Sequence, residues 1–218
     1  MEEGVMERRF SGARVAPVEV RAEGDARYIS GYAAVFYDPR RDGTEYELLP
    51  DVVERIMPGA FDEALTRNDE VVGLFNHDMD NLLGRNTAGT LELSVDRTGL
   101  RYDIRVDRDD PDHQRVLRKI QRGDLKGSSF AFYVERQSWQ EVDTEDESML
   151  VRQIEQVGLI DVGPVTRPAY EATSTGLRAV GDLEEARAAV EAYRDEVRAV
   201  QARANVMAKR ARVVELGL

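Results

Sequence analysis

Apolar residues recur in short runs, many at every second position, and Gly, Pro and Asp cut the runs. This pattern restricts the chain to strands folded back on one another. Val15, Val18 and Val20 precede Gly24-Asp25, and Tyr28, Ile29, Tyr32, Val35 and Phe36 follow it, which predicts a hairpin. Thr90–Val95 and Leu100–Val106 predict a second hairpin around Asp96-Arg97-Thr98-Gly99. Glu47–Met57, Val71–Phe75, Ser128–Val134, Ser138–Val142, Val151–Ile160 and Val162–Thr166 add further extended segments. Two short helices interrupt them. Ala60–Arg67 follows Pro58-Gly59, and Asp110-Pro111 opens a helix with Val116, Leu117 and Ile120 on one face. Many short strands with few helices predict an α+β fold built on a closed β-barrel or a folded sheet.

Residues 181–218 follow a different period. Leu183, Ala186, Val190, Tyr193, Val197, Val200, Ala204, Met207, Ala211 and Val214 alternate spacings of three and four, the seam of an amphipathic helix. Asp182 and Glu185 are spaced as its capping box. The chain of 218 residues therefore divides into a mobile polar leader over 1–13, a body over 14–180, and a helix over 181–218 that is scaffold-like or dimerising, with self-association expected through 183–214. Its net charge of −12 lies wholly in the first 180 residues, because the tail holds seven acids and seven bases. That balance speaks against nucleic acid as a partner, which requires a basic stripe to displace phosphate counterions. No apolar run approaches the ~18 residues of a membrane helix, and the segment Met1–Arg9 lacks the apolar core of a signal peptide. Cysteine is absent, which removes disulfides, thiolate metal sites and a cysteine nucleophile.

The side chains available for chemistry are few. His77 and His113 are the only histidines. His77 ends an apolar run, where a strand end presents a side chain to solvent, and His113 sits at a helix start, where solvation is expected. Gly127-Ser128-Ser129-Phe130-Ala131-Phe132 places two serines at a strand entrance. Phe130 and Phe132 share one face, so Ser129 points away from them. A metal hydrolase could draw on His77, Asp78 and Asp80, or on the acids of 107–112, but two histidines in separate segments are a poor zinc set. The cluster also lacks the glycine and terminal glutamate of a calcium loop. No metal or other cofactor is expected.

Several segments, in order, resemble the prohead (capsid-maturation) serine proteases of tailed phages. They are Gly31-Tyr32-Ala33-Ala34-Val35-Phe36, Met57-Pro58-Gly59-Ala60-Phe61, Leu74-Phe75-Asn76-His77-Asp78 with Leu83-Gly84-Arg85, Asp96-x-x-Gly99-Leu100, Ser129-Phe130-x-Phe132, and Asp161-Val162-Gly163-Pro164-Val165-Thr166-x-Pro168-Ala169-Tyr170. Together they span roughly residues 15–175, so the resemblance makes the body over 14–180 the protease domain. The resemblance implies a fold related to the herpesvirus assemblin protease, a closed β-barrel ringed by helices. It implies cleavage of the scaffold portion of the major capsid protein, and of the protease itself, inside a prohead assembling in the host cytoplasm. Carried over by position, His77 is the general base and Ser129 the nucleophile. The third member is Asp161, where the family usually has glutamate, with His113 as the alternative. Gly163 stands where the family usually has serine, and Ala131 where glycine is common. Oxyanion donors would be backbone N–H groups near Ser129 or the Arg167 guanidinium. An inactive relative serving as an internal scaffold or capsid-binding protein is the competing reading.

Overall fold

The computed structural model describes residues 5–11, 15–143, 148–166, 188, 190–200 and 202–203. The strands are β1 (Met6–Ser11), β2 (Glu19–Glu23), β3 (Ala26–Val35), β4 (Tyr46–Leu49), β5 (Val52–Ile56), β6 (Val72–Leu74), β7 (Leu82–Arg85), β8 (Leu91–Val95), β9 (Gly99–Arg105), β10 (Gly127–Asp143) and β11 (Ser148–Val165). Helix α1 spans Asp62–Arg67, α2 spans Pro111–Gln121, and residues 190–200 form α3. Both predicted hairpins are present as β2–β3 and β8–β9. The Asp110 carboxylate accepts the Asp112 N–H at 2.7 Å and starts α2 where Pro111 needs no amide partner. Val116, Leu117 and Ile120 are buried along one face of α2, each contributing about 1.5–3 kcal/mol of apolar burial.

The strands form two sheets. The larger runs β1-β10-β11-β5-β4, with β6 and β7 added beside the far end of β11, and the smaller runs β2-β3-β9-β8. The expected strands at 128–134 and 138–142 are one strand, β10, and those at 151–160 and 162–166 are one strand, β11. Register shifts between Ala131 and Phe132 and between Val134 and Gln137 bend this hairpin. Its length lets β11 pair in parallel with β5 through Leu150–Ile154 and with β6 through Asp161 and Val162.

The expected closed barrel is not formed: the sheets are not closed into a barrel. Closure requires a continuous ladder around the sheet. Among the described residues the two sheets meet through side chains instead. Tyr102 Oη on β9 lies 2.9 Å from Ser128 Oγ on β10, and Ser11 Oγ donates to the Ala33 carbonyl at 2.8 Å. A Cβ at Gly31 would lie 2.6 Å from Ser128 Oγ and 2.7 Å from Tyr102 Oη, so this close approach of the sheets requires glycine. Ile29, Ala33, Leu100, Tyr102 and Ile104 of the small sheet pack in one core with Ile56, Phe130, Phe132, Ile154 and Val162 of the large one.

The segment read as a leader over 1–13 is not free of structure. Met6–Ser11 is β1, paired antiparallel with β10 from Met6↔Tyr133 to Ser11↔Ser128. Its polar sequence hides this pairing because its inward side chains include buried charges that are neutralised by partners on other strands. In α3, Val190 is buried, and the Tyr193 ring stacks on Trp139 at 5.3 Å and 17°. Val197 and Val200 continue the seam but are exposed. The proposed boundary near 180 and the capping box Asp182–Glu185 lie outside the described residues. No described helix is long and apolar enough to cross a membrane.

Candidate active site

Three strands bring the site together. Asp161 sits on β11 opposite Ala131 of β10 and beside Val72 of β6, and Ser129 faces Gly163 two steps along the same ladder. After β6 the chain turns sharply through Asn76 (φ 60°) and His77 (φ 56°), two successive left-handed residues that are not glycine. That conformation costs roughly 1–2 kcal/mol per residue and persists only where surrounding contacts hold it. Asn76 supplies such contacts. Its N–H donates to the Pro164 carbonyl at 3.1 Å. Its Oδ1 accepts the Thr166 N–H at 2.8 Å and the Thr166 hydroxyl at 3.2 Å, strapping the turn to the end of β11. Gly163 completes the fit, because a Cβ there would run into the Leu74 carbonyl, with Leu74 C and N at only 3.0 and 3.1 Å.

This turn aims the His77 ring between the other two side chains. Nδ1–H donates to Asp161 Oδ1 at 2.6 Å, and Nε2 is hydrogen-bonded to Ser129 Oγ. The His77 and Asp161 side chains are 7% and 6% exposed, and Ser129 is fully buried. Expectation and structure therefore differ on access: His77 does not face solvent. β1 covers the site, with the Phe10 ring edge-on to His77 at 6.1 Å and 84°. Ser129 Oγ also lies 2.9 Å from the Arg9 carbonyl oxygen. A hydroxyl has one proton to donate. With His77 neutral, that proton goes either to Nε2 or to Arg9; with His77 protonated, Oγ accepts from Nε2–H and donates to Arg9. In the first arrangement the carboxylate holds Nδ1–H and leaves Nε2 basic toward the hydroxyl, which suits proton removal from an attacking serine.

The other candidates are engaged elsewhere. Ser128 is buried against Tyr102, whose phenol is pushed up by burial. His113 is buried rather than solvated: its Nδ1 accepts the Asp107 N–H at 2.8 Å and its Nε2–H donates to the Leu83 carbonyl at 2.7 Å. Those two bonds fix α2 to the loop before it and to β7, so the alternative third member lies away from His77. Asp78 caps the turn at Met79–Asn81 through the Asp80 N–H and also bonds Asn81. Among the described residues, no group of three His, Cys, Asp or Glu side chains could hold a metal ion. Arg167 lies outside the described residues. Neither Asn76 nor Gly163 was singled out from the sequence for positioning the histidine. A signal existed for Asn76, since asparagine tolerates the left-handed region better than most residues.

No curated protein matches the chain. Among solved structures, the bacteriophage T4 capsid assembly protease, gp21, aligns with 11% identity over 74% of this chain and 96% of its own, with a TM-score of 0.38. The caudovirus prohead serine protease family matches residues 16–193, a span that includes His77, Ser129 and Asp161. With most of its length matched in this way, the chain belongs to the caudovirus prohead serine protease family.

Proposed function

We propose that the chain is a serine endopeptidase that cleaves the scaffold portion of the phage major capsid protein, and itself, inside the assembling prohead. The carrying observation is the hydrogen-bonded series Asp161–His77–Ser129, drawn from residues 52 and 84 positions apart. Ser129 Oγ attacks the carbonyl carbon of the scissile peptide while His77 Nε2 takes its proton. His77 then delivers that proton to the leaving amine, and the acyl–enzyme ester is hydrolysed by water activated in the same way. Asp161 holds the ring in the required tautomer and stabilises the imidazolium.

The full burial of Ser129 beneath β1 favours a second reading, in which the protein is an inactive internal scaffold or capsid-binding component. One experiment separates the two. The chain and its Ser129→Ala variant are each co-expressed with the capsid protein, and all products are weighed by intact-mass spectrometry. The protease shortens the capsid protein or itself only with Ser129 present. Full-length capsid protein and a full-length chain in both samples would leave the scaffold reading.

A further inference from the structure

Beside the site, strand β1 brings two charged side chains into the large sheet's interior. Glu7 and Arg9 are two positions apart and so lie on one face of β1. Beneath them, Glu54 of β5 and Arg152 of β11 stand side by side, matched in the parallel ladder. Arg9 Nε and Nη2 donate to the two Glu54 oxygens at 2.6 and 2.9 Å. Arg152 Nη1 and Nη2 donate to the two Glu7 oxygens at 2.7 and 2.8 Å, and Nη1 also reaches Glu54 at 2.9 Å. Glu54 is fully buried, and Arg9 and Arg152 are 4% and 3% exposed. The Phe132 ring floors the Arg9 guanidinium at 5.6 Å, and the Trp139 ring lies 5.7 Å from that of Arg152. The Arg9 guanidinium is held above its usual range: burial, which acts to lower it, is outweighed by the charges of Glu54 and Glu7.

A quartet of buried charges contributes little stability compared with apolar packing, but it discriminates strongly between sequences. Its position relative to the chemistry gives that discrimination a use. β1 adds to the edge of β10 by a backbone ladder, the way an extended peptide docks on a sheet edge. The carbonyl it presents to Ser129 Oγ belongs to Arg9, the residue whose side chain enters the Glu54 pocket. The following residue, Phe10, packs on His77.

We propose that β1 occupies the cleft as a substrate strand does, and that Glu54 and Arg152 determine specificity: the protease cuts after a basic residue preceded, two positions earlier, by an acidic one. This rests on the serine protease reading above. In the step itself, Ser129 Oγ bonds to the carbonyl carbon of the basic residue and the bond from that carbon to the next nitrogen breaks. The serine proton travels through His77 to the new amine, and water hydrolyses the ester to restore Ser129. In this chain the corresponding bond is Arg9–Phe10; Oγ here donates to the Arg9 carbonyl oxygen, so β1 rests as a bound strand and is cut when that carbonyl turns its carbon to Oγ.

The test uses the full chain and synthetic peptides with the order Glu-Ala-Arg-Phe-Ser at their centre, with Ser129→Ala as the blank. The basic position is varied among Arg, Lys, Gln and Glu, and the acidic position among Glu, Gln and Lys. Mass spectrometry locates the cut and gives kcat/KM, and intact mass reports a cut after Arg9 in the chain itself. Replacing Arg by Gln should lower kcat/KM by about 100-fold, because the buried Glu54 carboxylate loses its two hydrogen bonds from the guanidinium and keeps only the one from Arg152. Lys in place of the acid should lower it by a similar factor, and the Glu54→Gln variant should bring the Arg and Gln peptides within about ten-fold of each other. Equal cleavage of the Arg and Gln peptides, or an Arg preference unchanged in Glu54→Gln, would overturn the assignment while leaving the protease intact. If Glu54→Gln does not fold, the peptide series on the unaltered chain decides alone. A folded chain that cuts no peptide, no capsid protein and not itself would sink the protease reading and this proposal with it.

Discussion

Replacing Asp161 with asparagine keeps the shape of the side chain and removes its charge. In the transition state His77 carries a positive charge beside this carboxylate, with Nδ1 2.6 Å from Oδ1. Taking the charge centres as about 4 Å apart and an effective dielectric of about 20, the attraction is about 4 kcal/mol. At 1.36 kcal/mol per decade that corresponds to a loss of roughly 1,000-fold in kcat. The amide also favours the wrong imidazole tautomer, which extends the expected loss toward roughly 10,000-fold. The assay is single-turnover cleavage of capsid protein by the chain and by Asp161→Asn, with Ser129→Ala as the blank. Circular dichroism melting of each confirms the fold, since Asp161 is only 4% exposed and a near-isosteric amide preserves its packing. A folded Asp161→Asn enzyme within ten-fold of the parent would refute the reasoning, because the carboxylate would then be contributing no charge to the step.

Gly163→Ala places a methyl group against the Leu74 carbonyl, so it should cost about 1–3 kcal/mol in denaturant unfolding and, by displacing the turn that carries His77, more than ten-fold in kcat. Unchanged activity would show that the turn yields without moving the histidine. Asp103 is held below the usual carboxylate range: burial, which raises it, is outweighed by hydrogen bonds from Arg101 and Ser30 and by the charges of Arg101 and Arg21. A lowered folded-state value means that this stabilisation is complete above the unfolded value near 3.9 and is lost as pH falls below it. Asp103→Asn should therefore be less stable than the parent by on the order of 1 kcal/mol at neutral pH after solvent screening, with the gap closing in melts below about pH 4. Truncation after Val180 should preserve kcat but lower stability by about 2–4 kcal/mol, through loss of the buried Val190 and the Tyr193–Trp139 stack. The same truncation should abolish any reversible self-association seen by sedimentation, and loss of catalysis with the fold intact would place the tail in the active site.

Interactions between near neighbours were legible in the sequence. The β2–β3 and β8–β9 hairpins and α2 with its Asp110 cap depend on period and turn chemistry within about ten residues, and those are written in residue order. Composition narrowed the chemistry as well, since two histidines and no cysteine leave few ways to activate a nucleophile. The pairing of His77, Ser129 and Asp161 came from resemblance to a family, because periodicity does not say which distant segments meet. Tertiary structure decided that β10 and β11 are single long strands, that the sheets remain open, and that His113 is a buried fastener of α2. It also decided that the polar segment Met6–Ser11 is an edge strand lying across the nucleophile. Arg9 reads as a surface residue because its partner Glu54 lies 45 positions away, and a charge enters a protein interior only where such a partner is brought to meet it.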